Sequence, residues 1–474
     1  MSAVPEIFIL CMVCIILGVD AFLPRRLSVI TYYLIQATLA AALVFTSLQF
    51  SGAATLTVSF SGHYVLDDLA VISKIFIYLF GIFAFIYARE YIEARKIAIS
   101  EYYLLGLFSI LGMSIMVSAY SFLSIYLGLE LLSLPLYAMV AMNKDSEHAT
   151  EAAMKYFILG ALASGMLLYG ISIIYGITGE LELTKVGAAL STFNLVAVMG
   201  LIFVMAGLIF KFGAVPFHMW VPDVYQGAAT PTTLFIASAP KVAAFAITLR
   251  ILAQAMPSLQ VYWIQILMVI AILSMFFGNL LAIAQNNIKR MFAYSSIAHI
   301  GYTLLGILAG PNSTQGYSAA MFYIATYVLV AAGGFAIITI MSRQGVELDK
   351  LDDYRGLNAR NPWLAFMMLL LLFSMAGVPP MVGFFAKLGL LEALVQAKLV
   401  WLAVLALIFA IIGSYYYLRV VMLMYFEEPD ESVAQVPVVV SSSMMAAISL
   451  NGVAALLIGL LPSFFIDICR ISAM

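Results

Sequence analysis

Fourteen apolar stretches follow one another along this chain, with only short polar links between them. They are centred near residues 13, 38, 80, 108, 130, 164, 205, 243, 271, 298, 328, 376, 411 and 453. A spanning helix needs about 20 apolar residues. Lipid tolerates helices because they satisfy their own backbone polar groups. The expected fold is therefore all-α and polytopic, with about 14 transmembrane helices and no room for a soluble catalytic domain. The first stretch carries Glu6 and no Lys or Arg before its apolar run. It is read as a retained helix, not a signal peptide.

Basic residues orient the expected bundle. Crossing fourteen times from an outer N-terminus puts thirteen of them, including Arg25, Arg26, Lys289 and Arg343, on one side. Only Lys185, Arg250, Lys398 and Arg470 fall on the other. That bias predicts a cytoplasmic face for the richer side. Both termini are then periplasmic, in a bacterial inner membrane.

Five lysines remain inside the membrane: Lys74, Lys155, Lys211, Lys241 and Lys387. A charge at the centre of a spanning helix costs roughly 2.5–3.5 kcal/mol on insertion scales, so such residues are functional candidates by default. Lys211 and Lys387 stand beside prolines, in Phe210-Lys-Phe-Gly-Ala-Val-Pro-Phe-His218 and Gly377-Val-Pro-Pro-Met-Val-Gly-Phe-Phe-Ala-Lys387. Pro216 frees the carbonyl of Phe212, next to Lys211. Pro379 and Pro380 free those of Met375 and Ala376. Unpaired backbone at this depth is tolerated only where it is buried in protein or faces water. Lys241 follows Pro240 in the eighth span. Lys155 lies one turn into the sixth, within reach of the surface. Lys74, near Asp67 and Asp68 at the end of the third, reads as structural.

Glu130, about halfway through the fifth span, is the matching acid. A Lys–Glu pair whose separation can change is a proton switch. His299 is central in the tenth span, among Tyr294, Ser295, Ser296 and Tyr302, and fits a wet proton path. His218 follows the first break and suits either a relay or a surface cap. Cys11 and Cys14 have the spacing of a redox pair but lie in the first span, and the only other cysteine is Cys469. They read as small packing residues. No phosphate-binding glycine loop is present, so no nucleotide, metal cluster or nucleic acid is expected on this chain.

A weak internal repeat is visible. Ala152-Ala-Met-Lys-Tyr156 recurs as Ala319-Ala-Met-Phe-Tyr323, and the broken seventh span recurs as the broken twelfth. Five helices separate the copies, so the second enters the membrane inverted. Such folds place their site near the midplane, on discontinuous helices. The expected division is 1–98 (three helices), 99–257 (helices 4–8), 258–426 (helices 9–13) and 427–474 (helix 14).

The run from Phe210 to Thr233, with Ala239-Pro-Lys-Val-Ala-Ala-Phe245 and Ala376 to Lys387, closely resembles the antiporter-like subunits of respiratory complex I. The resemblance covers essentially the whole chain. Gln226 departs from it, where the family often has glutamate. Lys387 stands where one branch has glutamate, and no long lateral helix is expected after the fourteenth span. The resemblance implies that Glu130 pairs with Lys211. Lys241 then forms the central connection with His299 nearby, Lys387 passes the proton on, and Lys155 serves uptake. It implies NADH, FMN, iron–sulfur clusters and quinone in partner subunits, with none here. It also implies a hetero-oligomer with other membrane-arm subunits, including a neighbouring antiporter-like one, in contact with lipid. A multisubunit sodium/proton antiporter shares these motifs. A purely structural spacer would gain nothing from buried charges.

Overall fold

The computed structural model describes residues 2–22, 28–50, 56–190, 194–342, 347–428 and 440–472. Arg25, Arg26 and Arg343 lie outside them. Helices α1 (Val4–Phe22), α2 (Ser28–Gln49) and α3 (Asp68–Ala94) come first. A small antiparallel hairpin, β1 (Thr57–Ser59) with β2 (Tyr64–Leu66), precedes α3 and is the one departure from the all-α expectation among these residues.

The first unit follows. It holds α4 (Ile99–Val117), α5 (Phe122–Val140), α6 (Glu147–Thr178), a short α7 (Leu183–Ala189) and α8 (Leu195–Phe212). It continues with α9 (Trp220–Gly227), α10 (Thr230–Ala237) and α11 (Ala239–Arg250). The second unit holds α12 (Gln260–Ile283), α13 (Ile288–Ala309), α14 (Gly316–Met341), a one-turn α15 (Leu357–Arg360), α16 (Pro362–Ala376), α17 (Val382–Gln396) and α18 (Val400–Phe426). Then come α19 (Ser442–Leu460) and α20 (Pro462–Ser472).

Thirteen helices among the described residues are long and apolar enough to cross a membrane. The remaining expected crossing is α16 with α17, two halves of 15 residues each. Helices α13, α14 and the α10–α11 rod are almost wholly buried and form the spine. Helices α1, α6 and α18 turn large apolar side chains outward, as a lipid- or partner-facing surface requires.

Two ends of the bundle can be told apart. At the first, Asp67 before α3 meets Arg250 at the end of α11. At the second, Arg95 after α3 meets Glu347, which also accepts from Thr230 at the start of α10. Both breaks come from the same chemistry. Helix α8 stops at Gly213 (φ 71°) and α16 at Gly377 (φ 87°), in the left-handed region that glycine enters freely. The prolines follow within three residues in each case. Helix α8 runs toward its break from the first end, and α17 runs from its break back to that end.

Candidate functional site

Lysines gather at these breaks because the breaks leave carbonyls without a helical partner. Lys387 donates to Met375 O and Ala376 O, both at 2.9 Å. These are the two carbonyls that the double proline frees. A methyl group on Gly377 would sit 3.2 Å from its Nζ, so the glycine makes room for the ammonium. At the first break the partners differ from expectation. The Phe212 carbonyl accepts from wholly buried Lys241, not from adjacent Lys211. Lys241 also lies over the Trp220 ring, 5.8 Å from its centre. The Trp220 indole N–H donates to Phe210 O at 3.1 Å.

Lys211 points instead toward α5. Its Nζ donates to Ser133 Oγ at 2.6 Å and lies 6.0 Å from the Tyr137 ring centre. Glu130 is one turn earlier on α5. It acts on Lys211 through its charge, and no ion pair joins the two among the described residues. Glu130 Oε1 is buried without a hydrogen-bond partner. The expected direct pair is thus not formed: the serine that takes Lys211 donates onward to the Leu129 carbonyl, not to Glu130. A cavity of about 20 Å³ lies among Lys211, Ser133, Trp220 and Pro240, room for about one water.

The second chamber is built from hydroxyls. His299 on α13 touches Tyr323 OH through Nδ1 at 2.7 Å and Tyr417 OH through Nε2 at 2.9 Å. Tyr417 OH reaches Ser295 Oγ at 2.5 Å. His299 and Lys387 line one cavity of about 20 Å³. On its other side Lys387 borders an apolar cavity of about 280 Å³ between α17 and α18.

A wider vestibule of about 770 Å³ opens at the second end. There Lys155 pairs with Asp223 and Glu151, each at 2.7 Å, and Arg290 holds the other Asp223 oxygen at 2.8 Å. Arg290 also reaches Gln226 Oε1 at 3.2 Å. Burial pulls the Asp223 carboxyl up. Lys155 and Arg290 outweigh it and hold the group below the usual carboxylate range. Tyr156, next to Lys155, stacks on Trp220 at 4.6 Å. That stack separates the vestibule from the Lys211 cavity. The His218 ring meets Pro216 O at 3.4 Å, and among the described residues no hydrogen bond joins it to a lysine.

Ser133, Tyr323, Tyr417, Asp223 and Arg290 were not singled out from the sequence. The run Tyr415-Tyr-Tyr417 inside an apolar span was the available signal for one of them. Two readings change. Lys74 does not turn to Asp67 and Asp68 but is wholly buried against Glu6. Lys289, expected at the surface, is buried with Nζ 2.8 Å from Ala228 O.

The family described as NADH:quinone oxidoreductase/Mrp antiporter, TM, matches residues 119–413. The chain belongs to this family of membrane subunits. Within it, the chain is similar to NADH-quinone oxidoreductase subunit N of Coxiella burnetii, 54% identical over 98% of this chain and 96% of that one. Subunit N of Thioalkalivibrio sulfidiphilus is 51% identical over 99% and 97%. A chain of respiratory complex I from Thermus thermophilus superposes with a TM-score of 0.84 at 32% identity, covering 98% of each. A chain of the Mrp complex from Dietzia shares the fold at 20% identity, with a TM-score of 0.87.

Proposed function

We infer that this chain is a proton-translocating subunit in the membrane arm of an NADH:quinone oxidoreductase. Electron transfer from NADH to quinone takes place in other subunits, which carry the flavin, the iron–sulfur clusters and the quinone site. This chain contributes no redox centre. It works in a hetero-oligomer with other membrane-arm subunits, in a bacterial inner membrane, with both termini on the periplasmic side.

One observation carries the reading. Three lysines stand at two broken helices, each held by a carbonyl or a hydroxyl that can keep an ammonium but cannot neutralise it. Lys211 gives and takes the proton in the first chamber, with Glu130, one turn from Ser133 on α5, biasing it by charge. Lys241 links that chamber to the centre. His299, through Tyr323 and Tyr417, leads to Lys387, and Lys155 with Asp223 serves uptake. His218 sits beside the first break at the vestibule side.

The test is NADH oxidation and proton uptake in membranes carrying Lys211→Ala or Lys211→Arg at matched assembly. Both are expected to fall, the second because arginine cannot deprotonate in proteins. Normal pumping in both variants would favour a structural spacer. A complex that purifies without flavin subunits would favour the sodium/proton antiporter.

A further inference from the structure

A second group of buried charges lies outside both chambers, in the N-terminal three-helix bundle. Glu6 on α1 and Lys74 on α3 form an ion pair, with Glu6 5% and Lys74 0% exposed. Lys74 Nζ also donates to Tyr64 OH at 2.8 Å. That hydroxyl lies 3.1 Å from both Glu6 Oε2 and the carbonyl of half-buried Ser2. One turn deeper on α3, Tyr78 OH meets Ser114 Oγ of α4 at 2.9 Å. Asp67, Asp68 and Arg250 also stand at this end, together with His63, which meets Ser121 Oγ, and with Glu180 and the Glu182–Lys185 pair on the loop and short helix that follow α6. Arg250 is fixed by two bonds to Asp67, at 2.8 and 2.9 Å, and by one to Val117 O at 3.1 Å.

These two pairs are built differently. Arg250–Asp67 joins the three-helix bundle to the segment that begins at α4 through two parallel bonds from Nη1 and Nη2, although Arg250 Nε has no hydrogen-bond partner. Glu6–Lys74 joins α1 to α3 within the bundle. Its desolvation offsets most of its attraction, and a lysine, unlike an arginine, can give up its proton. The Lys211 cavity is bounded at this end by Met116 and Ile247. The next layer is Val117 and Arg250, where α11 passes into a π-helical turn, Ile251–Ala255, of a kind often found at functional sites. The pair therefore stands just beyond the closed outer end of the first chamber.

We propose that Glu6, Lys74 and Tyr64 form a proton-exchange site through which protons leave the first chamber at the outer end of the bundle. The Lys74 ammonium passes one proton to the Glu6 carboxylate, leaving an amine and a carboxylic acid. The acid releases that proton outward past Tyr64 and Ser2. The amine takes the next one from the chamber side, by way of the Tyr78–Ser114 hydroxyls. No electrons move. Arg250 keeps its proton and stays clamped to Asp67 beside the route. The proposal rests on the proton-translocating reading above.

The test uses the assembled complex in vesicles, with Lys211→Arg as the reference. Glu6→Gln keeps shape and an acceptor, and Lys74→Arg keeps the charge. Each is expected to lower NADH-driven proton pumping about tenfold at matched assembly, short of the ~100-fold typical of a group at a reacting centre. Wild-type pumping should also fall as outer pH drops, because a higher outer proton concentration opposes release past Tyr64 and Ser2. Glu6→Gln should lose that dependence, which a clamp would not alter. The double variant Glu6→Leu/Lys74→Met keeps an apolar pair of similar bulk, and should assemble yet pump poorly. Normal pumping and an unchanged outer-pH profile in Glu6→Gln and in the double variant would overturn the exit site. If Lys211→Arg also pumps normally, the translocation reading falls with it. If Lys211→Arg is impaired while these variants are not, only the exit site is lost.

Discussion

The two chambers share a plan and differ in what surrounds the lysine. In both, a helix stops at a left-handed glycine, a proline follows, and a lysine takes a freed carbonyl. Around the first break there are three charges, Glu130, Lys211 and Lys241, and few hydroxyls. Around the second there is one lysine, and a histidine threaded between two tyrosines. On our proposal the first biases a proton by charge and the second hands it along hydroxyls and one imidazole. They differ too at the end of the bundle where Asp67 lies. There the first is closed by the Asp67–Arg250 ion pair, whereas Ser313 meets Gln396 at 2.9 Å, a neutral contact, near the same end of the second.

The sharpest way to break this comparison is Lys241→Met. It removes the lysine that takes the freed carbonyl of the first break and that we propose leads on toward the second chamber, and it leaves Phe212 O without that donor. Coupled turnover is expected to fall about 100-fold, with about 1–3 kcal/mol lost from the orphaned carbonyl. NADH oxidation and thermal unfolding of the purified complex measure the two effects. Wild-type turnover in that variant would put the connection elsewhere.

A smaller loss, about tenfold, is expected for Tyr417→Phe, which strips one hydroxyl from His299 while keeping the ring. Ser133→Ala should cost less, because Glu130 still acts on Lys211. If the first chamber works by charge, pumping in Ser133→Ala stays within about threefold of wild type. A greater loss there than in Tyr417→Phe would reverse the assignment of the two mechanisms.

The smallest effect concerns acid stability at these same ends. Burial raises the Asp67 carboxyl, and Arg250 outweighs it, so its folded value is depressed. Such a group stabilises the fold above its unfolded value of about 3.9 and loses that contribution as pH falls through the lower folded value. Thermal unfolding of the wild type should therefore weaken below about pH 4. Asp67→Asn should be less stable at neutral pH and flatter in acid. Gln396→Ala should not change the acid profile.

Local chemistry accounts for what was legible beforehand. Apolar run length located the spans, and the missing N–H of proline located both breaks and named the carbonyls they free. For Met375 and Ala376 this also named the acceptors of Lys387, because lysine and break lie on one crossing only 11 and 12 residues apart. The same argument failed for Phe212. Its carbonyl lies beside Lys211 in sequence, but Lys241, 29 residues on, reaches it. Which cation turns to a freed carbonyl is decided by helix packing. Lys74 repeats the lesson, since its partner Glu6 sits two helices earlier and Asp67 is already taken by Arg250. Tyr417, 118 residues from His299, was marked only by the run Tyr415-Tyr-Tyr417, and nothing local tied it to that histidine.

The carbonyls that hold Lys241 and Lys387 are fixed dipoles of the main chain. They attract an ammonium strongly and an amine weakly, and they cannot follow the proton when it leaves. Each lysine is therefore moored only while charged. Once neutral, its four-carbon arm is free to swing from the break toward the neighbouring cavity, and it is drawn back when it is charged again. Loading state and arm position become a single coordinate. A partner subunit that nudges either broken helix by an ångström or two would then be shifting a titration, and a proton arriving would in turn push on the helix.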